Sequence, residues 1–255
     1  MHWLPPNGAL HGVALDRLLA WNLAIILGLC IAAHFLIVAA FLFRRARRGD
    51  SPTAASARTS KTAPLLIAEF LTLLALTILY IAMDIIGHHL WAATREQPSS
   101  SKPIEVEVTG VQFQWYFRYP GTDGLYGTTK PTLVSAPTGN PLGLDPADPH
   151  SADDIVSAIL ILPANHPVNV TLHSQDVIHG FFVPGMRLKQ DAIPGMDGDL
   201  QFTPTKTGDY DILCSQVCGL GHYRMQARLR IVTPAQFQTW LAAHEQATLK
   251  ARGAQ

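Results

Sequence analysis

The chain has 255 residues, of which 48% are hydrophobic and 15% are charged, and 19 basic side chains balance 19 acidic ones. This sparse and balanced charge excludes a disordered chain, and it excludes a protein that binds nucleic acid through a strongly basic surface. The balance is an average of two unlike parts. Residues 1–104 have nine Lys/Arg against five Asp/Glu (+4), whereas residues 105–255 have ten against fourteen (−4). The difference indicates two compartments rather than one uniform globule.

Two apolar segments predict two membrane-spanning helices. Residues 18–43 have no charged side chain, and a helix of this length extends about 39 Å, which exceeds the ~30 Å hydrocarbon core. Residues 64–86 are equally apolar except for Glu69 and Asp84 near the two ends. A signal peptide is disfavoured because the first segment is too long and its charged cluster follows it. We therefore expect a helical hairpin, preceded by an outer N-terminal segment at residues 1–17.

The position of the basic residues predicts the topology. Residues 44–63 contain six Lys/Arg, whereas the segment before the first span has only Arg17. Because loops rich in Lys and Arg stay on the cytoplasmic side, we expect residues 44–63 to form a cytoplasmic loop. The remainder of the chain then lies outside, which in a bacterium places the protein in the inner membrane with its C-terminal domain in the periplasm.

The sequence of the outer part predicts an all-β domain at residues 100–233. Apolar residues alternate with polar ones in three segments, as in half-buried strands. These apolar positions are Ile104, Val106, Val108, Val168, Val170, Leu172, Ala227, Leu229 and Ile231. Residues 120–149 are dense in Pro, Gly, Asn and Asp and predict a long surface excursion. Thr233 followed by Pro234 and Gln236 predicts a capped helix from Pro234 to about Gln246, within a C-terminal helix and tail at residues 234–255.

The strongest chemical signal is the segment Cys214-Ser-Gln-Val-Cys218-Gly-Leu-Gly-His222-Tyr-Arg-Met225. The spacing from Cys218 onward, together with a second histidine upstream, is that of a blue-copper site. The additional thiolate of Cys214 allows both cysteines to bridge a pair of copper ions. Each copper ion would then bind one histidine, with Met225 as a weak axial ligand of one ion and the main-chain carbonyl of Gln216 as a ligand of the other.

The two cysteines allow two other interpretations, a disulfide and a zinc site. An exported Cys-x3-Cys pair is by default a disulfide, but His222 and Met225 at copper spacing favour a metal site. Zinc is disfavoured because methionine is a poor zinc ligand and the spacing is not that of paired Cys-x2-Cys knuckles. Cys30 lies inside the first span and is expected to pack there as a membrane thiol.

Four segments together resemble one family. Ser174-Gln-Asp-Val-Ile-His179-Gly-Phe-Phe-Val-Pro184 resembles the S-x-D-V-x-H-x-x-x-x-P stretch of subunit II of cytochrome c oxidase. Residues 188–195 look like the family's K-x-D-A-x-P-G segment, residues 108–119 look like its aromatic strand, and residues 214–225 are similar to its copper A loop. With the two spans in front, the resemblance covers nearly the whole chain in the same order.

The resemblance implies a cupredoxin-like Greek-key sandwich and a role in respiration. Cytochrome c would deliver electrons to a dinuclear copper A centre, which passes them to haem in the catalytic subunit I of a haem-copper oxidase, where oxygen is reduced to water. The ligands carried over by the motif are two terminal histidines, two bridging cysteines, a main-chain carbonyl and a weak methionine. These residues are His179, His222, Cys214, Cys218, Gln216 and Met225.

Three positions depart from the family or match it loosely. The family often has Glu where this chain has the neutral Gln216, and loss of that carboxylate weakens the case for a magnesium ion at the subunit boundary. Phe113 stands where the family has the Trp that receives electrons from cytochrome c, so Phe113 and Trp115 are both candidates for electron input. Glu69 resembles the glutamate at which protons enter the oxidase.

The expected partners are the catalytic subunit, other oxidase subunits, cytochrome c or a similar donor and the membrane, but no nucleic acid. Two alternatives stay open: the copper A subunit of a nitric oxide reductase, and a membrane-tethered protein that binds or delivers copper. A quinol oxidase is disfavoured because its relatives lack the copper ligands. The −4 charge of the outer part predicts electrostatic steering of a basic donor, with Asp176 near His179 as a candidate contact.

Overall fold

A computed structural model describes residues 4–47, 62–95 and 102–253. The chain divides into two compact units. One consists of residues 14–93, and the other joins the described residues up to Val13 with those from Thr94 onward.

The first unit contains two long helices, α1 (Gly12–Arg47) and α2 (Thr62–Arg95). Their segments Gly12–Arg45 and Leu66–Leu90 are long and apolar enough to cross a membrane. Both helices extend beyond the predicted spans at residues 18–43 and 64–86. The predictions located the apolar segments. The helices continue beyond them because Leu, Ala and Arg favour helix whether or not they lie in a membrane. Most of the predicted cytoplasmic loop, residues 48–61, lies outside the described residues.

The second unit is a sandwich of two five-stranded sheets. The ten strands are β1 (Ile104–Val111), β2 (Gln114–Tyr119), β3 (Ile155–Ser157), β4 (Ile159–Pro163), β5 (Val168–Ser174), β6 (His179–Val183), β7 (Leu188–Ala192), β8 (Gly198–Phe202), β9 (Gly208–Cys214) and β10 (Gln226–Val232). One sheet has the order β3-β2-β1-β5-β8, and the other has the order β4-β10-β9-β6-β7. The pairs β1·β5 and β4·β10 are parallel, and the other pairs are antiparallel. The predicted fold class, two apolar N-terminal helices followed by a β-sandwich, is confirmed.

Apolar side chains from both sheets form one core between them. Strand β1 contributes Val106 and Val108, and its parallel neighbour β5 contributes Val168, Val170 and Leu172, all of which are buried. Alternation along each strand sends every second side chain into this layer. The three segments whose alternation predicted strands therefore correspond to β1, β5 and β10.

Residues 120–154 form an excursion between β2 and β3, as predicted. The excursion contains three 3-10 turns, at Pro131–Leu133, Ala136–Thr138 and Pro149–Ala152. Arg118 on β2 joins it to the sheet, because its guanidinium donates to the Asp154 carboxylate, at 2.5 Å from Nη2, and to the carbonyl of Gly127.

The N-terminal segment adds to the sandwich, which the sequence did not predict. The Gly8 amide donates to the Gly185 carbonyl at 2.8 Å, and the Thr205 amide donates to the Gly8 carbonyl at 2.7 Å. Ala9 forms a bridge with Pro204 and is buried. The described residues before α1 are therefore part of the β domain.

A third helix, α3 (Pro234–Gly253), ends the described chain. Thr233 and Gln236 form the predicted capping box, in which the Thr233 amide donates to Gln236 Oε1 at 3.0 Å and the Gln236 amide donates to Thr233 Oγ1 at 3.3 Å. Trp240 packs edge-on against Tyr119 of the sandwich, with ring centroids 5.0 Å apart. The helix continues past the predicted end near Gln246.

Candidate metal centre

The segment between β9 and β10 is a closed loop that begins at Cys214 and ends at Met225, here called the copper loop. The Cys214 amide donates to the Met225 carbonyl at 3.1 Å, which holds the two ends of the loop together. The two thiols lie inside it with their sulfur atoms 3.8 Å apart. Both cysteines are free, and this separation is far longer than the ~2.05 Å bond of a disulfide. The geometry therefore does not favour the disulfide interpretation.

Sheet pairing brings His179 to the copper loop. His179 is the first residue of β6, which pairs with β9 so that Phe181 lies opposite Cys214. The Ser215 amide also donates to the Gly180 carbonyl at 2.9 Å. The ligand atoms of His179, Cys214 and Cys218 consequently lie within 4.8 Å of one another.

The other three predicted ligands surround the same sulfur atoms. His222 Nδ1 lies 3.6 Å from Cys218 Sγ, and Met225 Sδ lies 3.7 Å from it. The main-chain carbonyl oxygen of Gln216 lies 3.1 Å from Cys214 Sγ, whereas the residue itself is exposed. All six predicted metal-binding groups are therefore gathered in one place.

The hydrogen bonds of His179 leave one ring nitrogen available for a metal ion. Nε2 donates to Asp176 Oδ1 at 2.7 Å, since a carboxylate can only accept. Nδ1 is buried and has no hydrogen-bond partner among the described residues. A buried polar atom without a partner is costly, and a metal ion at this position would satisfy it.

The chemistry of the donor set fits copper. Two thiolates, two imidazoles and a thioether are soft or borderline ligands, and this combination suits copper better than magnesium or calcium. Burial, followed by the neighbouring Cys214 thiol, raises the pKa of Cys218 to about 11. A metal ion that binds here must therefore displace a proton from this thiol.

Asp176 joins the site to the turn between β1 and β2. Its Oδ2 atom accepts from the Gln112 amide at 2.7 Å, while Oδ1 accepts from His179. Desolvation raises the pKa of Asp176, but the hydrogen bonds from Gln112 and His179 outweigh this effect and hold the pKa below its ordinary value. The Gln112 side chain also contacts the copper loop, because its Nε2 donates to the Cys218 carbonyl at 2.5 Å.

Sequence reasoning assigned no role to Gln112. The residue belongs to the aromatic strand motif, and its partner Cys218 is 106 positions away in the chain. No spacing rule connects two residues so far apart, so only the resemblance of the strand to the family's aromatic segment drew attention to this region.

The two aromatic candidates for electron input occupy different environments. Phe113 is 37% exposed, and its ring lies against Gly219 and Gly221 of the copper loop. Trp115 is fully buried, and its ring packs edge-on against the His179 ring with centroids 5.8 Å apart. Only Phe113 therefore has surface that a donor protein can touch.

Glu69 lies on one of the two long apolar helices. Its side chain is exposed on α2, within the segment Leu66–Leu90 that is apolar enough to span a membrane. It belongs to the first unit, whereas the metal ligands belong to the second.

Comparison with known proteins identifies the family to which the β domain is similar. Residues 104–232 match the sequence profile of a family described as cytochrome c oxidase subunit II, periplasmic domain. The chain is 43% identical over 139 residues to the alternative cytochrome c oxidase subunit 2 of Bradyrhizobium diazoefficiens, covering 54% of this chain and 50% of that relative. It is 31% identical over 142 residues to cytochrome c oxidase subunit 2 of a Synechocystis species, covering 56% of this chain and 33% of that relative.

A solved structure is also similar to the second unit. The periplasmic domain of subunit II of cytochrome oxidase from Bradyrhizobium japonicum aligns with a TM-score of 0.43 and 25% identity, covering 59% of this chain and 99% of that one. The chain spans half of the length of the Bradyrhizobium diazoefficiens relative and a third of the Synechocystis one. Because the family profile matches half of the sequence, the chain belongs to the cytochrome c oxidase subunit II family.

Proposed function

We propose that this chain is the subunit at which electrons from cytochrome c enter a respiratory terminal oxidase. Electrons would arrive at a dinuclear copper A centre in the sandwich and pass to haem in the catalytic subunit, where oxygen is reduced to water. The observation that carries the proposal is the convergence of His179, Cys214 and Cys218 within 4.8 Å. The buried and unpartnered Nδ1 atom of His179 supports it further.

Six groups of this chain would hold the copper ions. These groups are the thiolates of Cys214 and Cys218, the imidazoles of His179 and His222, the main-chain carbonyl of Gln216 and the thioether of Met225. When bound, a copper pair that shares one electron supplies one-electron transfer with little change in its bond lengths. We propose no magnesium ion, because the neutral side chain of Gln216 offers no carboxylate for it.

The surrounding residues suit an electron-transfer site that excludes water. His179 and Met225 are fully buried, and Cys218 is 4% exposed. A buried site with fixed ligands keeps its geometry when the charge changes, which favours redox chemistry over rapid exchange of the metal. This burial argues against a protein that delivers copper to others, because such a protein must release its metal.

Phe113 is the residue at which we expect the donor to make contact. It is exposed at the surface and reaches the copper loop, whereas Trp115 lies inside the sandwich against His179. Trp115 would then support the histidine from within, and Phe113 would provide the contact with cytochrome c.

The helices α1 and α2 would anchor the subunit in the bacterial inner membrane, with the sandwich on the periplasmic side. Catalytic subunit I and the other oxidase subunits would be the partners in the membrane. Glu69 would admit protons at the boundary with the catalytic subunit, since an ionisable residue within a span has a functional role by default. The match of residues 104–232 to an oxidase family supports oxygen rather than nitric oxide as the final acceptor.

The experiment uses the complex purified from its native membrane. We expect two copper ions per copy of this chain, an electron paramagnetic resonance spectrum of one electron shared by two copper nuclei, and consumption of oxygen with reduced cytochrome c. Cys218→Ser should abolish all three properties, whereas Cys30→Ser, a change in the exposed thiol of α1, should abolish none. One copper ion per chain, or turnover of nitric oxide alone, would contradict the proposal.

A further inference from the structure

A chain of three hydrogen bonds connects His179 to the copper loop without passing through the metal site. His179 Nε2 donates to Asp176 Oδ1 at 2.7 Å, the Gln112 amide donates to Asp176 Oδ2 at 2.7 Å, and Gln112 Nε2 donates to the Cys218 carbonyl at 2.5 Å. The two ends of this chain are predicted copper ligands on different segments. We call Asp176 and Gln112 the bridging pair.

Asp176 determines which nitrogen of His179 can bind a metal. Because its carboxylate accepts from Nε2, the proton of the neutral ring stays on Nε2 and the lone pair stays on Nδ1. Nδ1 is the buried nitrogen that has no partner among the described residues. The carboxylate thus fixes both the tautomer and the orientation of the ring, and it makes the imidazole a more electron-rich ligand.

Gln112 fixes the copper loop to the same carboxylate. It follows the last residue of β1, in the turn that leads to β2, so its main chain is held by a strand pair that is independent of the loop. Its amide orients Asp176, and its side chain restrains the carbonyl of Cys218. Gln112 therefore orients Asp176, which supports His179, and it also restrains the main chain of Cys218.

We propose that Asp176 and Gln112 are positioning residues that set the separation of His179 and Cys218 before copper binds. This inference rests on the proposed function only in taking copper as the metal. In this inference Asp176 orients a copper ligand, whereas the sequence had suggested that Asp176 contacts the electron donor. A site arranged in advance retains its metal more tightly, because less ordering remains to be done on binding.

The first test is Asp176→Asn in the full-length chain within its complex. An amide offers one acceptor oxygen where the carboxylate uses two, so either His179 or Gln112 loses its acceptor. We expect copper affinity, measured by competition with a chromophoric copper(I) chelator, to fall about 10–100-fold. The reduction potential of the bound copper should rise, because a less electron-rich imidazole stabilises the oxidised form less.

The second test is Gln112→Glu, which keeps the shape of the side chain but cannot donate to the Cys218 carbonyl. Gln114→Glu is the matched control, because it adds the same charge two positions away on an exposed side chain of β2. We expect Gln112→Glu to lower copper affinity about 10-fold or more, and Gln114→Glu to leave it unchanged. Thermal unfolding of the copper-free proteins should be alike, since the effect concerns the metal site rather than the fold.

The two proposals fail in different ways. If the wild-type chain binds two coppers but Asp176→Asn and Gln112→Glu retain them with wild-type affinity and potential, the bridging pair has no positioning role. The inference would also be overturned if the variants lost thermal stability in the copper-free form together with copper affinity. The loss of affinity would then result from a damaged fold and not from the metal site. A wild-type chain that does not bind two coppers contradicts the proposed function instead.

Discussion

The ring of Phe113 occupies the space that a side chain on Gly221 would need. A Cβ atom built on Gly221 would lie 2.6 Å from Phe113 Cγ and 2.7 Å from Cε2. The backbone of Gly221 is ordinary, with φ −93°, so its glycine is required by space and not by conformation. The copper loop can follow its path only because this residue has no side chain beneath the aromatic ring.

This relationship predicts a specific coupling between the two positions. Gly221→Ala should reduce the free energy of unfolding by about 1–3 kcal/mol, the usual cost of overpacking. The cost should shrink when Phe113→Ala is present in the same chain, because the overlap disappears. Denaturant unfolding of the four proteins in the double-mutant cycle measures this difference.

Gly208→Ala is the control for that cycle. Gly208 has φ +143°, and among the described residues a Cβ there would come no nearer than 4.0 Å, to the Tyr210 ring. The cost of Gly208→Ala therefore arises from the backbone. The free energy of unfolding that Gly208→Ala costs should be the same whether Phe113 is present or replaced by Ala. Additive effects at Gly221 would contradict the interpretation that the ring excludes a side chain there.

We expect the Met225 thioether to affect the reduction potential of the copper centre more than the retention of copper. Met225 is fully buried, 3.7 Å from the Cys218 sulfur, and Met225→Leu conserves volume, so the fold should lose less than about 1.5 kcal/mol. We expect Met225→Leu to keep both coppers and shift their reduction potential, whereas Cys218→Ser should lose the metal. Copper analysis and redox titration distinguish the two results. An empty site in Met225→Leu would show that the thioether is an essential ligand.

Removal of one partner from the buried pair of Arg118 and Asp154 should strongly destabilise the β domain. Their side chains are 3% and 0% exposed, so Arg118→Gln leaves a buried carboxylate without its cation, at a cost of about 3–5 kcal/mol. Burial already raises the pKa of Asp154 even with Arg118 beside it. Protonation removes the unpaired charge, so the cost should be smaller at acid than at neutral pH.

Arg228→Gln provides the comparison for that measurement. Arg228 pairs with Asp211 on the surface, where the two side chains are 62% and 60% exposed, and exposed pairs contribute about 0–1 kcal/mol. Chemical denaturation of both variants at two pH values separates the cases. Equal costs for Arg118→Gln and Arg228→Gln would show that burial of the first pair has no energetic consequence.

Reduction by cytochrome c should depend on Phe113 and on salt. Phe113→Ala should lower the bimolecular rate of reduction without changing copper content, because Phe113 is the exposed one of the two aromatic candidates. The −4 charge of residues 105–255 should make reduction by a basic donor slower as salt rises. Stopped-flow measurements over a range of salt concentrations test both expectations.

The same measurement decides between two roles of Asp176. A contact with the donor predicts that Asp176→Asn is slower at low salt and equal to wild type at high salt. A role restricted to positioning His179 predicts an altered potential with an unchanged dependence on salt. Its side chain is 27% exposed and both oxygens accept hydrogen bonds from the site, which favours the second result.

Local patterns predicted the parts of the fold that depend on neighbours in the sequence. The alternation in β1, β5 and β10 identified half-buried strands, and the capping box identified the start of α3. The spacing of Cys214, Cys218, His222 and Met225 predicted that these side chains meet in one loop, because a tight loop keeps residues close in space when they are close in sequence.

The remainder depends on long-range contacts, which no local pattern encodes. The position of His179 beside the loop follows from the pairing of β6 with β9, and at the sequence level only the resemblance to a family supplied it. The role of Gln112 requires contacts with residues 64 and 106 positions away. The strand-like pairing of Gly8 and Ala9 could not be anticipated either, since the segment is too short to have a periodicity.

The pairing of Gly8 with Gly185 and Thr205 makes the β domain discontinuous in the chain. Its N-terminal piece is synthesised before α1 and α2, and the residues that it pairs with are synthesised long after them. These hydrogen bonds can form only after both helices and the strands up to Thr205 have been synthesised. One of the first described segments to be made therefore pairs late, and until then the main-chain groups of Gly8 lack these partners.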